Sequence, residues 1–210
     1  MTRRLRSLAS ALALSLLCGC TAQSFINEPT PPQIYLLNPH LGPSKGAKVS
    51  FALAVSRPSA PFSLASRRIA IQRSATTLDY YANAVWQDRT PRLLQRLVVE
   101  GFENSGRITA VAGTQSGLHA DYLLQLDLRR FDADYLSPNG APRAELSLAA
   151  RLIRLSDRKV VATTRIRTQA PAQQNSIKAA VTAFDRATAK AVTALIAWTL
   201  AASQPAVPQR

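Results

Sequence analysis

The chain has 210 residues, 47% of them hydrophobic, with 26 Lys and Arg against 12 Asp and Glu and a formal net charge of +14. That length gives one domain or at most two small ones, and the apolar share is enough for a packed core. The charge is not gathered into any block of five basic residues. It comes in ones and twos, as at Arg67-Arg68, Arg129-Arg130 and Arg158-Lys159. This argues against a nucleic-acid-binding segment and leaves either a modestly basic domain or one drawn to an anionic membrane surface.

Residues 1–19 read as an export signal. Arg3, Arg4 and Arg6 form a basic start, and the apolar run Leu8 to Leu17 is too short to cross a bilayer as a helix. The run ends Leu17-Cys18-Gly19-Cys20, which resembles the bacterial lipobox, with Cys18 where Ala, Ser or Thr is usual. That resemblance makes Cys20 the lipidated first residue of the mature chain, carrying a diacylglycerol and an N-acyl chain. Each buried CH₂ contributes about 0.8 kcal/mol, so several chains anchor firmly where one does not. Cys18 and Cys20 are the only cysteines. The mature chain then has no free thiol and no internal disulfide, and its core must hold by packing alone. Removing the three arginines leaves 23 basic against 12 acidic residues. By resemblance to the sorting rule of enteric bacteria, Thr21 directs the anchor to the periplasmic face of the outer membrane, with the periplasmic face of the inner membrane as the alternative.

Residues 20–33 hold three prolines and little pattern, as a tether would. A single domain over 34–201 follows. IYLLNP at 34–39 predicts a first strand stopped by Pro39. VSFALAV at 49–55 alternates, with Val49, Phe51, Leu53 and Val55 on one face, and RRIAIQR at 67–73 is a third short strand. An extended stretch with Tyr80, Tyr81, Val85 and Trp86 runs into a helix, with Thr90 as N-cap and Pro91 at its first position. Leu94, Leu97, Val98 and Phe102 share one helix face, Leu93 widens it, and Asn104-Ser105-Gly106 ends it. RITAVAG at 107–113 is another strand.

The second half is more regular. Tyr122, Leu124, Leu126 and Leu128 point one way and Gln125, Asp127 and Arg129 the other. A bulge near Arg129-Arg130 would return Phe131 to the core. Leu146, Leu148, Ala150 and Leu152 alternate over 143–155, and Val160, Ala162, Thr164 and Ile166 over 160–169, with an SDRK turn between. Three such strands in succession read as an antiparallel meander with one wet face. After a loop at 170–175 the period becomes 3.6, through Ile177, Val181, Phe184, Thr188, Ala191, Leu195 and Thr199. Residues 202–210 form a frayed tail. The fold class is α/β (α+β): a two-layer sandwich, a mixed and largely antiparallel sheet with two helices packed on it.

No residues gather for catalysis. His40 and His119 stand in loops, and no P-loop, dinucleotide fingerprint or GxSxG occurs. Asp121, Asp127, Asp132 and Asp134 are spread along one strand, where ion pairs to Arg129, Arg130 and neighbouring arginines explain them better than a metal does. The expectation is a non-catalytic protein with no metal and no cofactor beyond the acyl groups on Cys20. Tyr80, Tyr81 and Trp86 fall within seven residues of a chain only 6% aromatic. They either pack the first helix on the sheet or form a partner-docking or lipid-facing patch.

Several stretches carry a resemblance to a family. YLLNP at 35–39, RRIAIQR, residues 78–111 from LDYYANAVWQDRTPRLLQRL to ENSGRITAV, and DYLLQLDL at 121–128 all resemble the ABC-type transport auxiliary lipoproteins, the PqiC-like group. Tyr80, Tyr81, Trp86, Pro91, Leu93, Leu94, Phe102, Ser105 and Gly106 match its pattern. The resemblance implies a membrane-anchored periplasmic partner of an MCE-domain protein with its ABC permease and ATPase. Their cargo would be phospholipids or other hydrophobic molecules. No nucleic acid is implied, and the chain's own oligomeric state, homo-oligomer included, is left open. Two other readings stand beside it: an outer-membrane assembly or secretion lipoprotein, and a periplasmic lipid carrier acting by itself.

Overall fold

The computed structural model describes residues 30–136 and 140–203. The expected export signal, Cys20, most of the expected tether and residues 204–210 lie outside the described residues. In chain order the elements are β1 (Gln33–Tyr35), β2 (Val49–Val55), β3 (Arg68–Gln72), β4 (Leu78–Trp86), α1 (Thr90–Ser105), β5 (Ile108–Gly113), β6 (Tyr122–Asp134), β7 (Arg143–Arg154), β8 (Lys159–Pro171) and α2 (Ile177–Ala202).

Three long strands set the frame. β6, β7 and β8 pair antiparallel along nearly their whole lengths, as short hairpin turns between period-two segments require. A register shift between Leu128 and Arg130 puts both Leu128 and Phe131 in the core, which is the expected bulge. The other edge of β6 is shared. β2 runs parallel to residues 122–124 and β3 parallel to 132–134. Between them the chain after β2 continues the ladder. Ser56 N–H donates to Leu124 O at 3.0 Å, Ser59 N–H to Leu126 O at 3.0 Å, and Leu128 N–H to Ser59 O at 2.7 Å. β5 then adds parallel to β2, β4 antiparallel to β3, and β1 parallel to β4. The sheet is mixed and two helices pack on one side of it, the sandwich expected.

α1 buries Leu93, Leu94, Leu97, Val98 and Phe102, the predicted face. Gly106 caps it with φ 65°, a left-handed conformation that suits glycine. Its start differs from expectation. The N-cap position is Arg89, which makes no side-chain cap, and the Thr90 hydroxyl donates to Ser66 O at 3.2 Å instead. That bond ties the helix to the segment before β3. α2 has a side-chain cap: Ser176 Oγ accepts from Ala179 N–H at 3.3 Å. Its Ala180, Ala183, Ala187 and Ala191 are buried. The two helices touch where Gly101 meets Val192, with no room for a Cβ.

Two strand readings are corrected. Val160 is 52% exposed, because a shift between Leu152 and Ile153 pairs Ile153 with Val160 and Leu152 with Ala162. Val161 packs against the core in its place. β8 also runs on to Pro171, into the expected loop, because Arg143 and Ala144 at the start of β7 pair with Pro171 and Ala170.

Candidate functional site

The aromatic stretch lies on β4, and an irregularity there decides where each ring goes. β4 pairs Tyr80 with Ala70 and Val85 with Arg68, so it carries extra residues between the two pairs. Asn83 sits at φ 50° inside this bulge, a left-handed conformation that Asn tolerates. The bulge resets the alternation, and the three rings separate.

Trp86 points into the core and is fully buried. Its ring lies 5.2 Å from Phe184 of α2, perpendicular to it, and 5.8 Å from Phe131 of β6; those two are 4.7 Å apart. Its Nε1 has no hydrogen-bond partner. Trp86 therefore packs α2 onto the sheet, and the expectation of a docking role for it is corrected. Tyr80 is half-buried: its hydroxyl donates to Ser63 O at 3.1 Å, and the Arg68 guanidinium lies 3.5 Å from its ring centre. Tyr81 turns the other way. Its hydroxyl is 2.8 Å from that of Tyr135, which donates to Asn175 Oδ1 at 3.1 Å, so Tyr81 is the donor of the pair. Burial, then the bond to Tyr135, pushes the Tyr81 hydroxyl well above the ordinary range. Exposed Leu78 and Leu136 lie at the adjacent strand ends, and Arg73 stands over the Tyr135 ring at 5.7 Å. Tyr81 and Tyr80 thus both remain partly exposed, with Tyr80 on the opposite side of the sheet.

That opposite side, open among the described residues, carries what sequence reading located only in part. Arg129 pairs with Asp127 at 3.1 Å, and Arg130 with Asp132 at 2.7 Å and Asp134 at 3.2 Å, as the strand pattern suggested. Asp121 differs: it accepts from Ala52 N–H at 2.8 Å and pins β2 to the start of β6. The unpredicted member is Glu145. Directly across from Asp132, it is buried beside Arg130. Burial raises its pKa first; Arg130 works against this, and Asp134 and Asp132 reinforce it. The signal was present as polar positions in the β7 alternation, but nothing in it showed which carboxylate would be covered.

His40 and His119 are exposed, and among the described residues no three His, Cys, Asp or Glu side chains approach metal-binding geometry. His119 lines a depression of about 460 Å³ with Phe51, Tyr122 and Arg154, at the end of the sheet. None of its groups is paired as nucleophile and base. No described helix is long and apolar enough to cross a membrane.

Comparison with known proteins settles the relationship. The model of the ABC-type transport auxiliary lipoprotein component matches residues 35–197. The chain belongs to that family. The crystal structure of XCC0632 from Xanthomonas campestris, a DUF330 protein, superposes with a TM-score of 0.76 at 34% identity, covering 82% of this chain and 97% of that one. A second crystal structure, of an uncharacterized protein, gives 0.65 at 15% identity, over 81% and 99% of the two chains, and shares the fold. An uncharacterized protein of Bradyrhizobium diazoefficiens is 32% identical over 184 residues, covering 88% of this chain. The chain spans about half (47%) the length of that curated relative.

Proposed function

We propose that this auxiliary lipoprotein is a non-catalytic component of an MCE-type ABC transport system that moves phospholipids or other hydrophobic molecules across a cell envelope. The observation that carries the reading is the family match across residues 35–197 in a chain whose start ends Leu17-Cys18-Gly19-Cys20. Lipid on Cys20 would hold the domain on a membrane facing the periplasm, the outer membrane by the reading of Thr21. The domain would dock on the MCE-domain protein, whose permease and ATPase perform translocation. The Tyr81–Tyr135 rim, with its two partly exposed rings and polar hydroxyls, is the surface offered for that contact.

The test is a crosslinked pull-down of the acylated protein from envelopes, read by mass spectrometry. Recovery of an MCE-domain protein with its permease is the expected result. Recovery of barrel-assembly or secretion components without them would overturn it. Labelling with a fatty-acid analogue should mark the wild type and leave Cys20→Ser unmarked.

A further inference from the structure

The open face of the sheet holds more positive charge than its acids neutralise. Arg151 stands opposite Thr163, Arg165 opposite Ala149, and Arg167 opposite Ser147. Side chains at alternate positions and at paired positions share a face, so all three guanidinium groups rise from one side. Arg151 and Arg165 are diagonal neighbours, about 7–8 Å apart at the backbone. All three are exposed, and among the described residues none makes an ion pair or side-chain hydrogen bond. Asp127, opposite Ala149, is already engaged by Arg129 and by the Ser59 hydroxyl at 2.9 Å, and Glu145, diagonal to Arg167, is buried beside Arg130. Around small Ala149, Arg151 and Arg165 line a shallow trough of about 480 Å³ together with Arg129 and Thr163, and Arg167 follows Arg165 along β8. A second depression, sharing Ala149 and Arg151, continues it towards Ser59.

Three residues beyond Ser59, Phe62 is 96% exposed at the tip of a turn. The turn flanks this same face. Tyr80 pairs with Ala70, whose parallel partner is Asp132 on the open side, and the Tyr80 hydroxyl bonds Ser63 O. Arg68 lies over that ring. Like charges placed as close neighbours destabilise a sheet, and a fully exposed phenylalanine contributes nothing to the core. Neither feature helps the fold, and together they match one kind of surface.

We propose that the open face of β7 and β8, with Phe62 at its rim, lies against an anionic bilayer. Arg151, Arg165 and Arg167 would meet lipid phosphates, and the Phe62 ring would enter the headgroup boundary. The spread of the charge favours this occupant. The guanidinium groups follow two strands across an open trough, which suits a continuous array of phosphates better than one enclosed ligand. The inference is independent of the transporter reading, because it needs neither the MCE protein nor the anchor.

The core is built from residues between Leu37 and Leu200, so a chain starting at Thr21 retains all of it and carries no acyl group to bind vesicles on its own. That chain should sediment with vesicles of phosphatidylcholine containing roughly 30% phosphatidylglycerol, and not with phosphatidylcholine alone. Binding should weaken steeply between about 0.05 M and 0.5 M salt. Arg151→Gln with Arg165→Gln should lower the partition constant about 20-fold, and Phe62→Ser by a few-fold. Lys45→Gln with Lys48→Gln, away from this face, is the control for net charge alone. Absence of binding to anionic vesicles by a chain with a native circular-dichroism spectrum would overturn the proposal and point to an acidic protein as the occupant. An equal loss in the lysine control would overturn the assignment to this face. A pull-down that fails to recover an MCE protein would leave the vesicle result untouched, so the two readings fail separately.

Discussion

Neighbouring residues of β6 separate two kinds of surface. Phe131 stacks on Trp86 and Phe184 beneath the helices, and Asp132, one position on, takes the guanidinium of Arg130 on the other side. On the closed face, Leu124, Leu126 and Leu128 meet Leu148 and Leu152, and what stabilises them is area removed from water and close fit. On the open face, polar groups hold one another. Asp132 and Glu145 are as well buried as many core residues, and Arg130 is the cation beside both. The closed face should therefore fail when volume changes, and the open face when a partner is removed and its opposite charge is left behind.

The largest effect is expected where the closed face is most aromatic. Trp86→Ala should lose about 3–5 kcal/mol in urea unfolding, whereas Trp86→Phe should lose much less, because the indole N–H has no partner to forfeit. Gly101→Val belongs to the same class: its side chain has to displace Val192 and separate the two helices. Equal losses for Trp86→Ala and Trp86→Phe would contradict the packing account. On the open face, Arg130→Ala should cost about 3 kcal/mol, since Asp132 and Asp134 keep their charges without a counterion. Adding Asp132→Ala should restore part of that loss, a coupling that a double-mutant cycle measures. Smaller again is Tyr81→Phe, at about 1 kcal/mol for one hydrogen bond to Tyr135.

The closed face was legible because burial leaves a period in the chain. The leucines of β6 and β7, the stripe of α1 and the alanine-rich stripe of α2 could all be placed from spacing, and even the bulge before Phe131 followed from the need to bury it. Three things were hidden for related reasons. Val160 lost its place to Val161 through a one-residue shift in pairing, which leaves no mark in composition. Strand alternation turned Tyr81 away from Tyr80, and the β4 bulge at Asn83 turned Trp86 into the core, so a cluster in sequence did not become a cluster in space. Parallel pairing of β2 and β3 with β6 joins residues far apart in the chain, and hydrophobic periodicity carries no information about such partners. The open-face arginines could be counted in the sequence, but which of them lacked an acid depended on that register.

The smallest predicted effect tests the open face with the least disturbance of shape. Glu145→Gln keeps the volume and removes a charge whose burial is the chief cause of its raised pKa. A carboxyl that titrates higher in the folded chain than in the unfolded one binds more protons when folded, so it lowers stability as pH rises through that interval. Above that interval the carboxylate carries its charge against burial, and the variant should match or exceed the wild type, by up to about 3 °C in Tm. As pH falls through the interval between the unfolded and the raised folded pKa, the wild type takes up its proton and the advantage should shrink to nothing. Asp185 is also raised, chiefly by burial, and shapes both profiles alike, so the difference between them isolates Glu145. If the variant is instead less stable at neutral pH, attraction to Arg130 and Arg143 outweighs burial at this position, and the open face is held more tightly by its charges than the closed-face comparison implies.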